Sequence, residues 1–307
     1  MWQALVDREI GFRLFSRELL QIIAQSRVLL VGLGGNGSVA DLLVRAGFTN
    51  FALIDPDFVE ASNLNRLPFG QEALGLPKTE AWKRHLTAIN PEITLQTWPQ
   101  AVTRHDARWL TELIRGSGAE KPIDLVFLGT TDVEANLVVG RICAETQTRM
   151  IIGPASSGCW IVGTFLHGAG DVTMESLGGF GTEALALEDI DYHALRPKYL
   201  EVMNYPGRSA RLQKGVWEAM CTGKLSARSC GIFVRMTNAA MAFEAVKNIA
   251  DLNAFPLEGT RLTTLPRVQI FDPYTGASYY YDCQKKLIGI PDWLTGEVRW
   301  QQWQKAR

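Results

Sequence analysis

Long apolar runs are missing from this chain of 307 residues. Every apolar stretch falls short of the ~18 consecutive residues that a membrane-spanning helix needs. The first residues, MWQALVDREIG, also carry acids where a secretory signal peptide carries Lys or Arg. We therefore expect a cytoplasmic protein that neither crosses nor coats a membrane.

An excess of charge of either sign is missing as well. The 31 Lys and Arg residues balance 32 Asp and Glu residues, which leaves a formal net charge of −1. Because a protein that coats nucleic acid needs a net basic surface, we expect no nucleic-acid partner. Apolar residues make up 47% and charged residues 21%, which are ordinary globular values, so the length predicts one large domain or two small ones.

Cysteine is scarce, and its number and spacing argue against a disulfide scaffold and against a local zinc site. The five cysteines are Cys143, Cys159, Cys221, Cys230 and Cys283. An odd number of widely spaced cysteines is typical of free thiols in a reducing compartment. Because no two cysteines have Cys-x-x-Cys spacing and the four histidines are scattered, we expect no zinc.

What the chain does contain is a glycine-rich turn between a strand and a helix. Residues 27–31, RVLLV, predict a buried parallel strand, and residues 39–46 predict a helix. The turn between them carries Gly32, Gly34, Gly35 and Gly37. Such glycines let a phosphate approach backbone N–H groups at the start of a helix. A second predicted strand, residues 51–54, ends in Asp55, whose carboxylate can accept hydrogen bonds from ribose hydroxyls.

The alternation of strands and helices continues to about residue 152. Further strands are predicted at residues 93–97, 123–128 and 150–152, with an amphipathic helix at residues 79–89. Ligands of open parallel sheets bind beyond the carboxyl ends of the strands. Since Gly32, Asp55 and Asp132 all follow predicted strands, we expect one crevice to hold all three.

Both a dinucleotide and a triphosphate fit this half of the chain. NAD-dependent oxidoreductases and ATP-using enzymes can share the glycine turn and the acid. The segment after Asp55 adds Asn63, Arg66 and Lys78. Two cations directed at one crevice suit a triphosphate better than a pyrophosphate already held by backbone amides, and Asp132 can then hold a Mg²⁺. The residues therefore favour ATP with Mg²⁺, and NAD stays open as the alternative.

Four stretches of the chain resemble the ThiF/MoeB/HesA family, the bacterial branch of the ubiquitin-activating-enzyme superfamily. They are RVLLVGLGGNGS, ALIDPDFVEASNLNR, GLPKTEAWKRHLTAINPEI and DLVFLGTTD, all within residues 27–152. Their most specific feature is the Asp-x₇-Asn-x₂-Arg spacing of Asp55, Asn63 and Arg66. The resemblance implies an adenylyltransferase, in which a substrate carboxylate attacks the α-phosphate of ATP and gives an acyl-adenylate and pyrophosphate.

The resemblance also assigns roles within the expected crevice. It implies that Asp55 binds the ribose, that Asp132 binds Mg²⁺, and that the phosphates are held by Asn63, Arg66 and Lys78. A terminal carboxylate is already an anion at pH 7, so the reaction needs no general base. It needs charge neutralisation, positioning and stabilisation of the leaving pyrophosphate, which these side chains can supply.

Two further roles follow from the resemblance. Family members work as homodimers in which an arginine of an N-terminal helix reaches into the partner's active site. Arg8 stands close to where that residue would fall, with Arg13 and Arg17 as further candidates. Among the cysteines, Cys221 lies nearest to the position of a thioester-forming nucleophile, and Cys230 is second. A structural thiol is the alternative for both.

The expected fold class is α/β, with a Rossmann-like, mostly parallel sheet that is flanked by helices and continues into an antiparallel second half. We expect one continuous domain with an N-terminal helical arm at residues 1–26, an ATP-binding half at 27–155 and a substrate-binding half at 156–307. The resemblance implies that the second half also contains a loop that crosses over the substrate's tail.

The second half itself shows less regular patterning. A strand is predicted at 160–166, a helix at 233–250 and a hairpin at 268–271 and 277–281, whereas periodicity is poor between residues 168 and 229. The tail carries Trp293, Trp300 and Trp303, a cluster that indicates docking onto the body of the protein or onto a partner.

The leading hypothesis is therefore ATP-dependent adenylation of the C-terminus of a small ubiquitin-like sulfur carrier or of a peptide. The divergent second half suits recognition of a leader peptide as well as recognition of a carrier protein. Two alternatives stay open. One is an NAD-dependent oxidoreductase that uses the glycine turn and Asp55, and the other is a non-catalytic nucleotide-binding scaffold that dimerises.

Overall fold

One mixed sheet runs through the structure, which is a computed structural model of the chain. The described residues are 2–10, 12, 15–118, 120–155, 160–203, 215–225, 230–256, 259–273 and 276–283. The strands among them are β1 Arg27–Val31, β2 Asn50–Ile54, β3 Thr94–Trp98, β4 Leu125–Leu128, β5 Arg149–Ile152, β6 Trp160–Phe165, β7 Arg267–Asp272 and β8 Ala277–Asp282. Their order across the sheet is β3-β2-β1-β4-β5-β6-β7-β8.

The first five strands form the parallel part of this sheet. β1 pairs with β2 and β4, β2 also pairs with β3, and β4 also pairs with β5, all in the parallel sense. Every residue of β1 is buried, because helices cover the sheet on both faces at its centre. Because the strand is buried on both faces, its residues after Arg27 are all apolar and do not alternate with polar residues.

Helices form one layer on each face of the sheet. The α-helices of the described residues are α1 Trp2–Val6, α2 Arg17–Gln25, α3 Ser38–Arg45, α4 Lys78–Ile89, α5 Ala107–Arg115, α6 Val133–Thr146, α7 Met174–Gly178, α8 Tyr192–Met203, α9 Val216–Cys221 and α10 Gly231–Leu252. Buried side chains of α2, α3, α4 and α10 pack in one layer, and those of α5, α6, α7 and α8 pack in the other. Within the described ranges, no helix has the length and apolar character needed to cross a membrane.

The last three strands close the sheet in the antiparallel sense. β6 pairs with β5 and β7, and β7 pairs with β8 as the hairpin that the sequence predicted. The long helix α10 packs across this junction, because it contacts β5 and β6 as well as α3. The expected fold class, a mostly parallel α/β sheet with an antiparallel second half, is therefore confirmed. The predicted strands and helices recur within two residues of their expected bounds.

Helices occupy parts of the segment between residues 168 and 229, where the sequence showed little periodicity. Thr173 caps α7, a helix of only five residues that is followed by Gly179 with φ 55°, and α8 contains Pro197. Helices that are this short or interrupted present too few turns for a hydrophobic period to emerge. A buried ion pair of Arg141 on α6 with Glu175 on α7 holds the segment instead, so tertiary contacts fix what the local sequence does not.

The connections around β1 create a crevice at one edge of the sheet. After β1 the chain enters α3 in one helical layer, whereas after β4 it enters α6 in the opposite layer. Loops that diverge in this way leave a crevice beyond the carboxyl ends of the two strands. We call the loop of residues 32–37 the glycine turn and the loop of residues 129–132 the β4 loop.

Candidate active site

Gly32 brings the glycine turn into contact with the β4 loop. Its φ of 89° lies in the left-handed region. A Cβ at this position would lie 2.7 Å from the carbonyl carbon of Gly129 and 2.7 Å from the nitrogen of Thr130. Only glycine both adopts this φ readily and has no Cβ to collide with the β4 loop. The glycine turn and the β4 loop are therefore packed directly against each other.

Asp55 ties the glycine turn to the end of β2. Its buried carboxylate accepts hydrogen bonds from the backbone N–H of Leu33 at 2.5 Å and of Asp57 at 2.8 Å. Burial raises the pKa of Asp55, although the charge of Lys78 and the two backbone donors oppose the shift. Because a carboxylate oxygen has two lone pairs, the same group can still accept a hydrogen bond from a ribose hydroxyl.

Lys78 begins α4 with its side chain buried between two carboxylates. Its Nζ lies 2.7 Å from Oδ2 of Asp57 and 3.7 Å from Oδ1 of Asp55. The side chain of Asp57 is 66% exposed, so water screens this closer ion pair. The structure thus brings the predicted phosphate-binding lysine next to the predicted ribose acid.

Arg66 lies beside the glycine turn. A Cβ built on Gly35 would lie 3.9 Å from Cδ of Arg66, and Oγ of Ser38 donates to the Arg66 carbonyl at 3.1 Å. Its Nη1 donates to the carbonyl of Ser62 and to Oδ1 of Asn65, both at 2.9 Å. Burial lowers the pKa of Arg66, but a guanidinium stays charged at neutral pH. A second predicted cation is therefore adjacent to the turn.

Asn63 is buried, and its amide serves the turn in which it lies. Its Oδ1 accepts from the backbone N–H of Glu60 at 3.2 Å, and its Nδ2 donates to Oγ of Ser62 at 3.3 Å. These bonds fix the short helical turn Ala61–Asn63 that leads to Arg66. The structure thus places Asn63 as a support of the Arg66 segment, and its contact with a phosphate stays a prediction.

Asp132 caps α6 at the other side of the crevice. One carboxylate oxygen accepts from the backbone N–H of Ala135 at 2.8 Å, and the N–H of Asp132 donates to Oγ1 of Thr130 at 2.9 Å. The residue is exposed. Buried Tyr199 lies near it: burial, and to a smaller extent the charge of Asp132, raise the pKa of this tyrosine.

The carboxylate of Asp132 fits a Mg²⁺ that is shared with phosphates. Within the described residues, no group of three or more His, Cys, Asp and Glu side chains could hold a metal ion. Mg²⁺ commonly binds through one or two carboxylates and completes its octahedron with water and phosphate oxygens. An exposed carboxylate with one oxygen outside the helix cap suits this donor set, so the residues present fit the ion together with a nucleotide.

Several supporting residues were not assigned a role from the sequence. Trp82, fully buried on α4, donates from Nε1 to the carbonyl of Leu33 at 3.0 Å and so holds the glycine turn. Asp57 pairs with the buried lysine, and Asn136 and Asn238 donate to carbonyls of the two loops. The position of Asp57 two residues after Asp55, in the sequence Asp-Pro-Asp, is a signal that could have identified it. No local pattern marks the asparagines, because their partners are backbone carbonyls.

The structure does not bring Arg8 to the crevice of its own chain. Arg8 is exposed shortly after α1, and α1 is fixed at Gly47, whose carbonyl accepts from Nε1 of Trp2 at 2.8 Å. Gly47 follows the end of α3, and the start of α3 adjoins the glycine turn. Because α3 has 8 residues and rises 1.5 Å per residue, its end lies about 12 Å from the turn. Arg17 is exposed at the start of α2, and Arg13 lies outside the described residues. A role of Arg8 in a partner's crevice stays a prediction.

The two candidate thiols lie at the ends of two helices in the second half of the chain. Cys221 ends α9, and its side chain lies outside the described part of the chain. Cys230 is exposed at the N-terminal cap of α10, and the next residue, Gly231, packs against the carbonyl oxygen of Asn65. Burial raises the pKa of Cys143 far above its usual range, which indicates an inert thiol. The thioester prediction for Cys221 thus stays a prediction.

Two further features fall outside the described residues. They are Cys159 and the tail with Trp293, Trp300 and Trp303. The docking of this tail stays a prediction.

The sequence of the chain matches a known family and its relatives. The sequence profile of the ThiF family matches residues 6–249. Ubiquitin-like modifier-activating enzyme 5 of Drosophila pseudoobscura pseudoobscura is 39% identical over 127 residues, which make up 40% of this chain and 32% of that relative. The match thus spans about a third of the relative's length.

Solved structures share the fold of the chain. Selenomethionine PaaA superposes with a TM-score of 0.60 at 18% identity, over 86% of this chain and 66% of that chain. Escherichia coli MccB with ATP gives a TM-score of 0.58 at 16% identity, with coverages of 86% and 66%. The same enzyme with AMPCPP and MccA gives 0.60 at 15% identity, with coverages of 89% and 72%.

Proposed function

The chain belongs to the ThiF family, and on this premise we propose that it is an ATP-dependent adenylyltransferase. An oxygen of the substrate carboxylate attacks the α-phosphorus of ATP, and the bond from this phosphorus to the bridging oxygen breaks. The products are an acyl-adenylate and pyrophosphate, which keeps the electron pair of the broken bond. The observation that carries the proposal is the pair of cations at the glycine turn, with Arg66 beside Gly35 and Lys78 beside Asp55.

Charge neutralisation is the main task of the proposed active site. The substrate carboxylate and the triphosphate are both anions at pH 7, so they repel each other on approach. Arg66 and Lys78 would offset this repulsion and stabilise the charge that develops on the leaving pyrophosphate. Asp55 would accept hydrogen bonds from the ribose and so align the α-phosphate with the glycine turn.

The remaining charge of the triphosphate calls for Mg²⁺. When bound, this ion would neutralise part of the charge of the phosphates. Asp132 is the residue proposed to hold it, through the oxygen that does not cap α6. The chain's own contribution is to fix this carboxylate at the crevice by the cap and by the bond to Thr130.

The proposed substrate is the C-terminal carboxylate of a small ubiquitin-like protein or of a peptide. In support, the curated relative is by name a ubiquitin-like modifier-activating enzyme, and a structure of MccB contains MccA.

We further propose that the protein acts in the cytoplasm as a homodimer in which Arg8 completes the partner's active site. A subsequent thioester on Cys221 belongs to the same proposal: the thiolate attacks the acyl carbon of the acyl-adenylate, the bond from this carbon to the phosphate oxygen breaks, and AMP leaves.

An NAD-dependent oxidoreductase is the second candidate, because the glycine turn and Asp55 would serve NAD in the same way. Calorimetry with ATP plus Mg²⁺ and with NAD separates the two candidates. We expect ATP to bind and NAD to give no heat. Micromolar affinity for NAD together with indifference to ATP would reverse the ranking. Binding of ATP without turnover on any of a panel of ubiquitin-like proteins and peptides would instead favour a nucleotide-binding scaffold.

A further inference from the structure

Two buried asparagines hold the two loops that line the crevice. Asn238 of α10 donates from Nδ2 to the carbonyl of Gly35 in the glycine turn at 2.8 Å. Asn136 of α6 donates from Nδ2 to the carbonyl of Thr130 in the β4 loop at 3.0 Å. Each asparagine is only 1% exposed. One amide from each helical layer thus reaches one of the two loops.

The orientation of both amides is determined by their partners. A carbonyl oxygen can only accept a hydrogen bond, so the NH₂ group of each amide has to face it. Each Oδ1 therefore points elsewhere, and neither oxygen has a hydrogen-bond partner among the described residues. A buried acceptor without a donor is costly to the folded state. At both positions, the asparagine amide therefore contributes to the structure through its hydrogen bond to the loop carbonyl.

These bonds also determine where the neighbouring N–H groups point. In a trans peptide, the C=O and the N–H of one peptide unit point in opposite directions. Because the carbonyl of Gly35 points to α10, the N–H of Asn36 points away from α10. Because the carbonyl of Thr130 points to α6, the N–H of Thr131 points away from α6. In the described part of the chain, no hydrogen bond is formed by the N–H of Thr131.

The two helices lie on opposite faces of the sheet, so the two N–H groups point into the same space. α10 belongs to one helical layer and α6 to the other. A group that points away from either layer at the carboxyl ends of β1 and β4 points into the crevice between them. Backbone N–H groups that are already oriented can bind phosphate oxygens without reorganisation when the ligand arrives.

We infer that Asn238 and Asn136 are positioning residues that turn the N–H groups of Asn36 and Thr131 towards the phosphates of a bound nucleotide. The inference rests on the proposed function, since it takes ATP as the ligand. Without the amide, the peptide unit loses the bond that holds its carbonyl, and the direction of the N–H group is less firmly fixed. The loss of affinity should then fall on the phosphates and leave the nucleoside almost unaffected.

The test compares ATP with adenosine as ligands of the 307-residue chain. Calorimetry measures both affinities for the wild type, Asn238→Ala and Asn136→Ala. We expect each variant to bind ATP at least about tenfold more weakly and to bind adenosine within about twofold of the wild type. Asn90→Ala is the matched control, because Asn90 is a fully buried amide at the end of α4, remote from both loops. It should bind ATP with unchanged affinity.

The outcomes separate the inference from the proposed function. If the wild type binds no ATP, the proposed function is wrong and the inference is overturned with it. If the wild type binds ATP and both variants match it, or lose ATP and adenosine affinity in equal measure, the inference alone is overturned. Asn238→Leu keeps most of the side-chain volume and removes the donor without adding a charge to this buried position. It should show the same selective loss, and it replaces Asn238→Ala if that variant does not fold.

Discussion

Nζ of Lys78 lies 3.7 Å from Oδ1 of Asp55, and both residues are buried beside the glycine turn. The same carboxylate accepts the backbone N–H groups of Leu33 and Asp57. One acid therefore joins the glycine turn, the loop after β2 and the start of α4. Changes at this pair should affect folding and nucleotide binding together.

Lys78→Met removes the cation and keeps most of the side-chain length. Because Asp55 would stay buried with less compensation, we expect a loss of about 3 kcal/mol in the free energy of unfolding. We also expect ATP affinity to fall by at least about tenfold, since a phosphate partner is lost. Urea unfolding and calorimetry measure the two effects. Lys83→Met, on the exposed side of the same helix, should change stability by no more than about 0.5 kcal/mol.

Wild-type affinity for ATP in the Lys78→Met chain would contradict this assignment. It would show that the ammonium serves only the two carboxylates beside it.

The raised pKa of Asp55 predicts opposite pH trends for binding and for folding. Binding needs the ionised carboxylate as an acceptor. As the pH is lowered, ATP affinity should therefore begin to fall while the pH is still above the ordinary Asp pKa of about 3.9. The contribution of Asp55 to stability is present below that ordinary value and is lost as the pH rises through the raised, folded-state pKa. Calorimetry and urea unfolding over the same pH series measure both trends.

A nucleotide without ribose hydroxyls is the control for this pH dependence. 2′,3′-Dideoxy-ATP cannot donate to Asp55, so its affinity should lack this pH-dependent decline. A parallel decline for ATP and the dideoxy nucleotide would argue against Asp55 as the ribose acceptor.

Gly32 and Gly34 should respond to alanine in different ways. At Gly32 a methyl group meets the β4 loop at 2.7 Å and the φ is 89°, so we expect Gly32→Ala to cost about 2–4 kcal/mol of stability. At Gly34 a Cβ would meet nothing within 4 Å, so Gly34→Ala should fold normally. The added methyl group would nevertheless occupy the surface that faces a phosphate, and ATP affinity should fall by about tenfold.

Thermal unfolding and calorimetry distinguish the two glycines. A destabilised Gly34→Ala chain, or one that keeps full ATP affinity, would not fit a phosphate at this turn.

The proposed action of Arg8 in a partner subunit can be tested by mixing two inactive variants. Arg8→Ala and Arg66→Ala chains should each be inactive alone. In a mixed dimer, the site on the Arg8→Ala chain has its own Arg66 and receives Arg8 from the other subunit. Random exchange should therefore restore up to about a quarter of wild-type activity, because half the dimers are mixed and each has one intact site. Mixing that restores nothing would exclude a role in trans.

The parallel half of the fold could be predicted because its signals are local. β1, the glycine turn and β2 follow one another within residues 27–55, and each apolar strand reflects burial on both faces. The neighbourhood of Asp55, Arg66 and the turn could be predicted as well, since parallel strands end at the same edge of a sheet. The family that these residues resemble is confirmed by the match to residues 6–249.

The supports of the candidate site could not be predicted, because they depend on tertiary contacts. Asn238 and Gly35 are 203 residues apart, and only the packing of α10 on the glycine turn joins them. α7 is likewise fixed by a distant partner, Arg141, rather than by its own five residues. Trp82 lies within the predicted amphipathic helix at residues 79–89, but no local pattern indicates that its Nε1 holds the glycine turn.

The most direct test of the proposed adenylation is the exchange of labelled pyrophosphate into ATP in the presence of a carboxylate substrate. A panel of ubiquitin-like proteins and of peptides with free C-termini supplies the substrate, and exchange is measured for the wild type, Arg66→Ala and Asp132→Asn. Asp132→Asn keeps an oxygen that can cap α6 and removes the charge, and Arg84→Ala on the exposed side of α4 is the control for Arg66. We predict carboxylate-dependent exchange that persists in Arg84→Ala and is lost in both site variants. Undiminished exchange in both Arg66→Ala and Asp132→Asn would contradict the account.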